Sequence, residues 1–299
     1  MIESSRFLEL KDQIRVALAA ADFESALRAA DDSVVEARES GDTDCVDLAT
    51  CNRSMVLIMK GNGSEELSHL KPILIRCQNP VVGFAAAYAT AQLYRDRRDF
   101  KKAIFYARIA RDKSQLIPGH PARGHAFNQL GTVCLDESRI PEAIEAFEKA
   151  VAIFEEGVPL DLLARALADD NLGYCYFLDG RHQDGFDHCQ RALKMFVELG
   201  AEAYTAQPHL DLCFGHLETQ SFAEAKNHGR LALELSRKHD NILVLKNSLY
   251  LLGEACHLSG DMDGADECFD ELSARYPEVR YLKDLLFAVD LKKVINLRL

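Results

Sequence analysis

The side chains with the most capacity for chemistry in this chain are histidines and cysteines at helical spacing. His209, Cys213 and His216 stand at i, i+4 and i+7, which on a helix sets two imidazoles and a thiol on one face. That donor set suits zinc. Structural zinc sites use four ligands, however, and no fourth lies nearby in sequence, so no metal is expected. His182, His188 and Cys189 are spaced i, i+6 and i+7, which spreads the two histidines over different faces. The nine cysteines, at 45, 51, 77, 134, 175, 189, 213, 256 and 268, include no C-x-x-C pair, and an odd number cannot all be bridged. They read as reduced thiols that pack as small apolar residues.

No P-loop, G-x-G-x-x-G, G-x-S-x-G or H-E-x-x-H pattern occurs, so the usual nucleotide, hydrolase and zinc-protease signatures are absent. A non-catalytic protein without a cofactor is expected. Lys and Arg number 35 against 47 Asp and Glu, a net charge of -12, and that field repels nucleic acid and anionic membranes alike. One stretch runs the other way. Arg95, Arg97, Arg98, Lys101, Lys102, Arg108 and Arg111 make residues 81–120 locally basic. Such a stretch is either a solvated helix face or a landing patch for an acidic segment of a partner.

Composition is that of an ordinary globular protein, 48% hydrophobic and 27% charged. No window reaches the roughly 18 apolar residues of a membrane helix. The opening MIESSRFLELK has no apolar run of signal-peptide length, and a cytoplasmic location is expected.

The elements that must position these residues are announced by an internal repeat. Leu130-Gly131 is followed by Ala143, Phe147 and Ala150. The same spacing recurs as Leu172-Gly173 with Gly185, Cys189 and Ala192, as Leu212-Cys213 with Ala225, Gly229 and Ala232, and as Leu252-Gly253 with Ala265, Phe269 and Leu272. A weaker copy begins at Ala91, so that the phase positions 91, 131, 173, 213 and 253 are 40, 42, 40 and 40 residues apart. Within each half-repeat apolar residues recur at helical spacing, as in Ala143, Ile144, Phe147, Ala150, Val151 and Phe154. Gly131 and Gly173 fall in mid-helix despite a propensity loss of about 1 kcal/mol, which makes sense where a partner helix crosses closely; Ala143 is the expected contact for Gly131.

These residues resemble the tetratricopeptide repeat family, whose motif runs W-x-x-L-G-x-x-Y, then A-x-x-x-F, then P. Phe127, Asp169, His209 and Leu249 stand where the motif has tryptophan, and Pro277 supplies a closing proline. The long period is similar to that of kinesin light chains and of bacterial signalling proteins with these repeats. The resemblance implies an all-α, right-handed superhelical solenoid of about seven antiparallel helix pairs forming a single domain over 1–299. Clear repeats are expected at 84–115, 121–156, 160–198, 202–238 and 242–277. Degenerate ones are expected at 4–38 and 44–77, where Pro72 interrupts the second helix, and a capping helix at 278–299.

In this family the first helix of each pair lines the concave side. Carried to this chain, that rule picks Tyr88, Gln92 and Arg95, then His125, Asn128, Thr132 and Leu135, then Leu167, Asp170, Tyr174 and Phe177. It continues with Leu210, Phe214 and Leu217, and then Tyr250. Tyr174, Phe177, Leu210, Phe214 and Leu217 would form an apolar patch that either meets a partner or packs on itself. The function implied is a non-catalytic scaffold that binds a peptide or helix of a partner protein in its groove. The alternative is a regulatory or sensory module whose groove is occupied intramolecularly, or that controls a downstream effector domain. Self-association is a further option.

Overall fold

Fourteen α-helices and a short 3-10 turn make up the regular structure of this computed structural model, which describes residues 4–119, 121–157 and 161–277. The expected helix at 278–299 lies outside the described residues. In chain order the helices are α1 (Ser5–Ala19), α2 (Phe23–Ser40), α3 (Thr43–Met59), α4 (Leu67–Arg76), α5 (Pro80–Asp96), α6 (Phe100–Ser114) and α7 (Ala122–Asp136). They continue with α8 (Ile140–Glu156), α9 (Leu162–Leu178), α10 (His182–Glu198), α11 (Ala206–Glu218), α12 (Phe222–Lys238), α13 (Ile242–Leu258) and α14 (Met262–Arg275). Among the described residues there is no strand, and the all-α expectation holds. No helix among them is long and apolar enough to cross a membrane.

The chain forms two compact units, one of residues 1–137 with 145–164 and the other of 138–144 with 165–299. In the first, α1 packs on α2, α2 on α3, α3 on α5, α5 on α6 and α6 on α7. Phe7, Leu48, Ile58, Leu70, Ile73, Val82 and Leu93 are the large members of its main apolar cluster. Pro72 stands inside α4, whose ten residues make it the shortest α-helix described; a proline removes one backbone hydrogen bond and crowds the preceding turn. In the second unit α10 packs on α11, α11 on α12, α12 on α13 and α13 on α14.

The turn inside each helix pair has one construction. A single residue in the left-handed region sits at Ala21, Gly61, Arg98, Ser138, Gly180, Gln220 and Gly260. The amide that follows closes back on the carbonyl five residues earlier, as in Asp99 N–H to Tyr94 O at 2.9 Å and Asp261 N–H to Cys256 O at 2.9 Å. This is how a helix satisfies its last carbonyls before reversing. At three of these turns the next residue caps the following helix: the carboxylates of Asp22, Asp99 and Asp261 accept from the amides of Ser25, Lys102 and Gly264.

The repeat phase positions are helix crossings. A Cβ built on Gly131 would lie 2.7 Å from the Phe147 ring, and one on Gly253 would lie 2.8 Å from the Phe269 ring. A Cβ on Gly173 would meet the Cys189 sulfur at 2.5 Å, and one on Gly229 would meet the Cys213 sulfur at 3.2 Å. One partner is glycine each time. The contact for Gly131 is therefore Phe147, one turn beyond the expected Ala143, because the aromatic ring reaches back along its helix to fill the space a methyl leaves. Gly131→Leu is expected to lower stability by about 1–3 kcal/mol through overpacking, read as a shift of the urea midpoint.

Candidate functional site

In the first unit the positions of α5 and α7 picked by the repeat register carry a polar set that stays partly accessible, apart from Leu135, which is buried. Tyr88, Gln92 and Arg95 lie at successive turns of α5, and His125, Asn128 and Thr132 do so on α7; all six are half-buried. The two helices are tied across the repeat by side chains. Gln129 Nε2 donates to the Tyr88 carbonyl at 2.8 Å, and the Arg95 guanidinium is bound by both oxygens of Asp136. Asp136 is 4% exposed, so the guanidinium provides the charge that makes its burial tolerable. Gln92 donates to Asp96 at 2.9 Å, and Thr132 to the Asn128 carbonyl at 2.9 Å. At the far end of α7, His125 Nε2 meets Asp161 at 3.1 Å, and the ring packs edge-on against Phe154. That hydrogen bond holds the Asp161 carboxyl below the usual carboxylate range. Desolvation lifts the Tyr88 hydroxyl to about 12 and keeps it a neutral donor.

The second unit treats the equivalent positions differently. Tyr174, Phe177, Leu210, Phe214 and Leu217 are 1–4% exposed, and Tyr250 is 6%. Of the two alternatives for this apolar patch, meeting a partner or packing on itself, the low exposure favours the second. For Phe177 the glycines on the neighbouring helices give the physical reason. A Cβ on Gly185 of α10 would stand 2.5 Å from the Phe177 ring, and one on Gly215 of α11 would overlap the same ring. Phe177 thus fills a slot that only glycines leave open, with Phe186 edge-on at 5.0 Å and Phe214 at 6.4 Å. Tyr174 sits 5.6 Å from Phe214. Asp170 is also buried, at 3% exposure, and its carboxylate lies with the Cys189 thiol and Asp211 carboxylate in one group within 4.8 Å.

Most of the basic stretch is spoken for by neighbours. Beyond the Arg95–Asp136 pair, Arg97 donates to the Ser64 carbonyl, Lys102 binds the capping Asp99, and Arg111 binds Asp112 at 2.7 Å. Arg98 takes the left-handed turn position, and Lys101 and Arg108 are exposed on α6.

His209 and Cys213 do not act together. Cys213 is buried against Gly229, while His209 Nδ1 faces Nδ1 of His228 on α12 at 2.9 Å. The His216 ring stacks on that of His228 at 5.4 Å and lies 4.5 Å from Phe186. His228, nineteen residues from His209, carries no spacing signal in one sequence; only the helix-pair register brings it there. Desolvation, reinforced by His209 and His216 and opposed by Glu224, pushes His228 down to about 4, and desolvation lowers the other two. The unfolded chain takes up these protons near pH 6.5 and the folded chain at lower pH. Stability is thus full above about pH 6.5 and is lost as pH falls towards 4. His228→Gln is expected to flatten the fall of the urea midpoint between pH 6.5 and 4.5.

Comparison with known proteins places this architecture. A tetratricopeptide repeat family profile matches residues 84–156, which hold α5 to α8. The protein named kinesin light chain-related 2 of Arabidopsis thaliana is 22% identical over 173 residues, 55% of this chain and 26% of that protein. The chain thus spans about a quarter of that curated relative's length. A Rap protein solved in complex with competence and sporulation factor superposes with a TM-score of 0.71 at 14% identity, over 94% of this chain and 78% of that one. The Rap conjugation gene regulator of plasmid pLS20, solved with a Phr peptide, gives a TM-score of 0.56 at 14% identity, over 92% and 76%. The tetratricopeptide resemblance read from the repeats is borne out, and the structural likeness shows the fold.

Proposed function

We propose that this chain is a protein-interaction scaffold that binds an extended peptide segment of a partner along the inner positions of α5 and α7. The supporting observation is the contrast between the two units. Equivalent positions in the second unit are buried, whereas in the first, apart from the buried Leu135, they are polar and half-buried. A carboxamide offers a donor and an acceptor at once, the complement of a peptide group, so Gln92 and Asn128 are suited to grip a backbone. Arg95, fixed by Asp136, presents its remaining N–H groups towards an acidic side chain or a terminal carboxylate. Arg98, Lys101 and Arg108 then steer an acidic partner, an effect that shrinks as salt rises. Of the solved folds that this chain resembles, one was solved with competence and sporulation factor and another with a Phr peptide, which supports the same reading.

The test is affinity capture from the native extract by the wild-type chain and by Gln92→Ala and Asn128→Ala variants, followed by titration of the captured segment as a synthetic peptide. Each variant is expected to weaken that peptide about tenfold or more, with an unchanged circular dichroism spectrum. Equal binding by wild type and both variants would remove α5 and α7 from the interface. The alternative, a regulatory module, draws on the likeness to a conjugation gene regulator.

A further inference from the structure

We infer that His209 and His228 form a binding site for a divalent first-row transition-metal ion of the zinc type, coordinated through the two Nδ1 atoms, with His216 and Glu224 flanking it. The same two positions one repeat earlier hold Asp169 and His188 at 2.8 Å, an acid and a base that satisfy each other. Replacing the acid by a second imidazole leaves two neutral donors facing across 2.9 Å. In the metal-free pair one Nδ1 carries the proton and the other accepts it.

The ring spacing is that of two imidazoles sharing an ion. With bonds of about 2.0–2.1 Å and a tetrahedral angle, centroids fall about 5.2 Å apart and the donor nitrogens about 3.3 Å apart. The observed centroid separation is 5.2 Å, which the metal-free hydrogen bond and a shared ion both satisfy, so an ion replaces the shared proton by a tilt of the rings that widens the nitrogen gap by about 0.4 Å. The displaced proton passes through water to the same ring's Nε2. Around the pair, His216 stacks on His228, and its Nδ1 is buried with no hydrogen-bond partner among the described residues. Glu224 lies one turn before His228 on α12 and is exposed, so its carboxylate can offset the charge of an incoming cation. The second imidazole ligand is thus supplied by the neighbouring helix, and Cys213 takes no part.

Zinc binding to the 299-residue chain is measured by equilibrium dialysis at pH 7.5, with thiols kept reduced by a non-chelating phosphine. Wild type is expected to bind one equivalent. His209→Gln and His228→Gln each lose about tenfold or more in affinity, and the His182→Gln control keeps it. Should a variant fold poorly, Co2+ added to wild type decides: d–d bands of a four- or five-coordinate ion without a thiolate charge-transfer band support the site. No saturable zinc binding, equal affinity in both variants, or an intense thiolate band abolished by Cys213→Ser would overturn it.

Discussion

Phe177→Ala is expected to lower the stability of the chain by about 3–5 kcal/mol, the range for truncating a fully buried aromatic residue. The ring is 2% exposed and occupies the slot left by Gly185 and Gly215. Neither glycine can extend into the vacated space, and their helix backbones are held by their own hydrogen bonds, so little relaxation can offset the cavity. The loss is read as a shift of the urea midpoint followed by circular dichroism. Because the phenylalanine lies inside the helix layers, the remaining folded population should bind a partner as the wild type does. A variant that keeps wild-type stability while losing a partner would show that Phe177 is a contact residue after all.

Arg95→Ala is expected to cost about 3 kcal/mol, because it strands a carboxylate that has no access to water. The Asp136 side chain is 1% exposed and that of Arg95 is 27% exposed. The asymmetry means that the arginine keeps contact with water while the aspartate depends on the arginine for its counter-charge. Pairing Arg95→Ala with Asp136→Asn should recover a large part of the loss, since the amide carries no charge to strand. Additive losses in that double-mutant cycle would show that the two side chains are not coupled.

The helix pairs were legible because their signals are local. Apolar residues recur at helical spacing, and small residues return at the crossings with a period that drifts only between 40 and 42. What was not legible is which inner positions stay accessible. Tyr174 occupies the same motif place as Thr132 in the preceding repeat, yet the first is buried and the second half-buried, whereas Phe177 matches Leu135 and both are buried. The slot that Phe177 fills is left by Gly185 and Gly215 on other helices, and one motif position does not report the size of its neighbours. Long-range polar pairs escaped for the same reason. Arg95 with Asp136 and His209 with His228 are separated by 41 and 19 residues, distances that acquire meaning only once the register of the stack is known.

The alternation of glycine with a bulkier residue at each crossing sets where this gene could be cut and rejoined. A junction that falls between helix pairs transfers both halves of a size match together. A junction inside a pair shuffles them. Joining α11 to α14 would set Cys213 against Phe269 where the native partners are Gly229 and Gly253, two side chains competing for one space. Joining α13 to α12 would set Gly253 against Gly229 and leave a void. Chimaeras spliced at the loops between pairs should therefore express as folded protein far more often than those spliced at the tight turns within them, although the tight turns share one backbone geometry and look interchangeable.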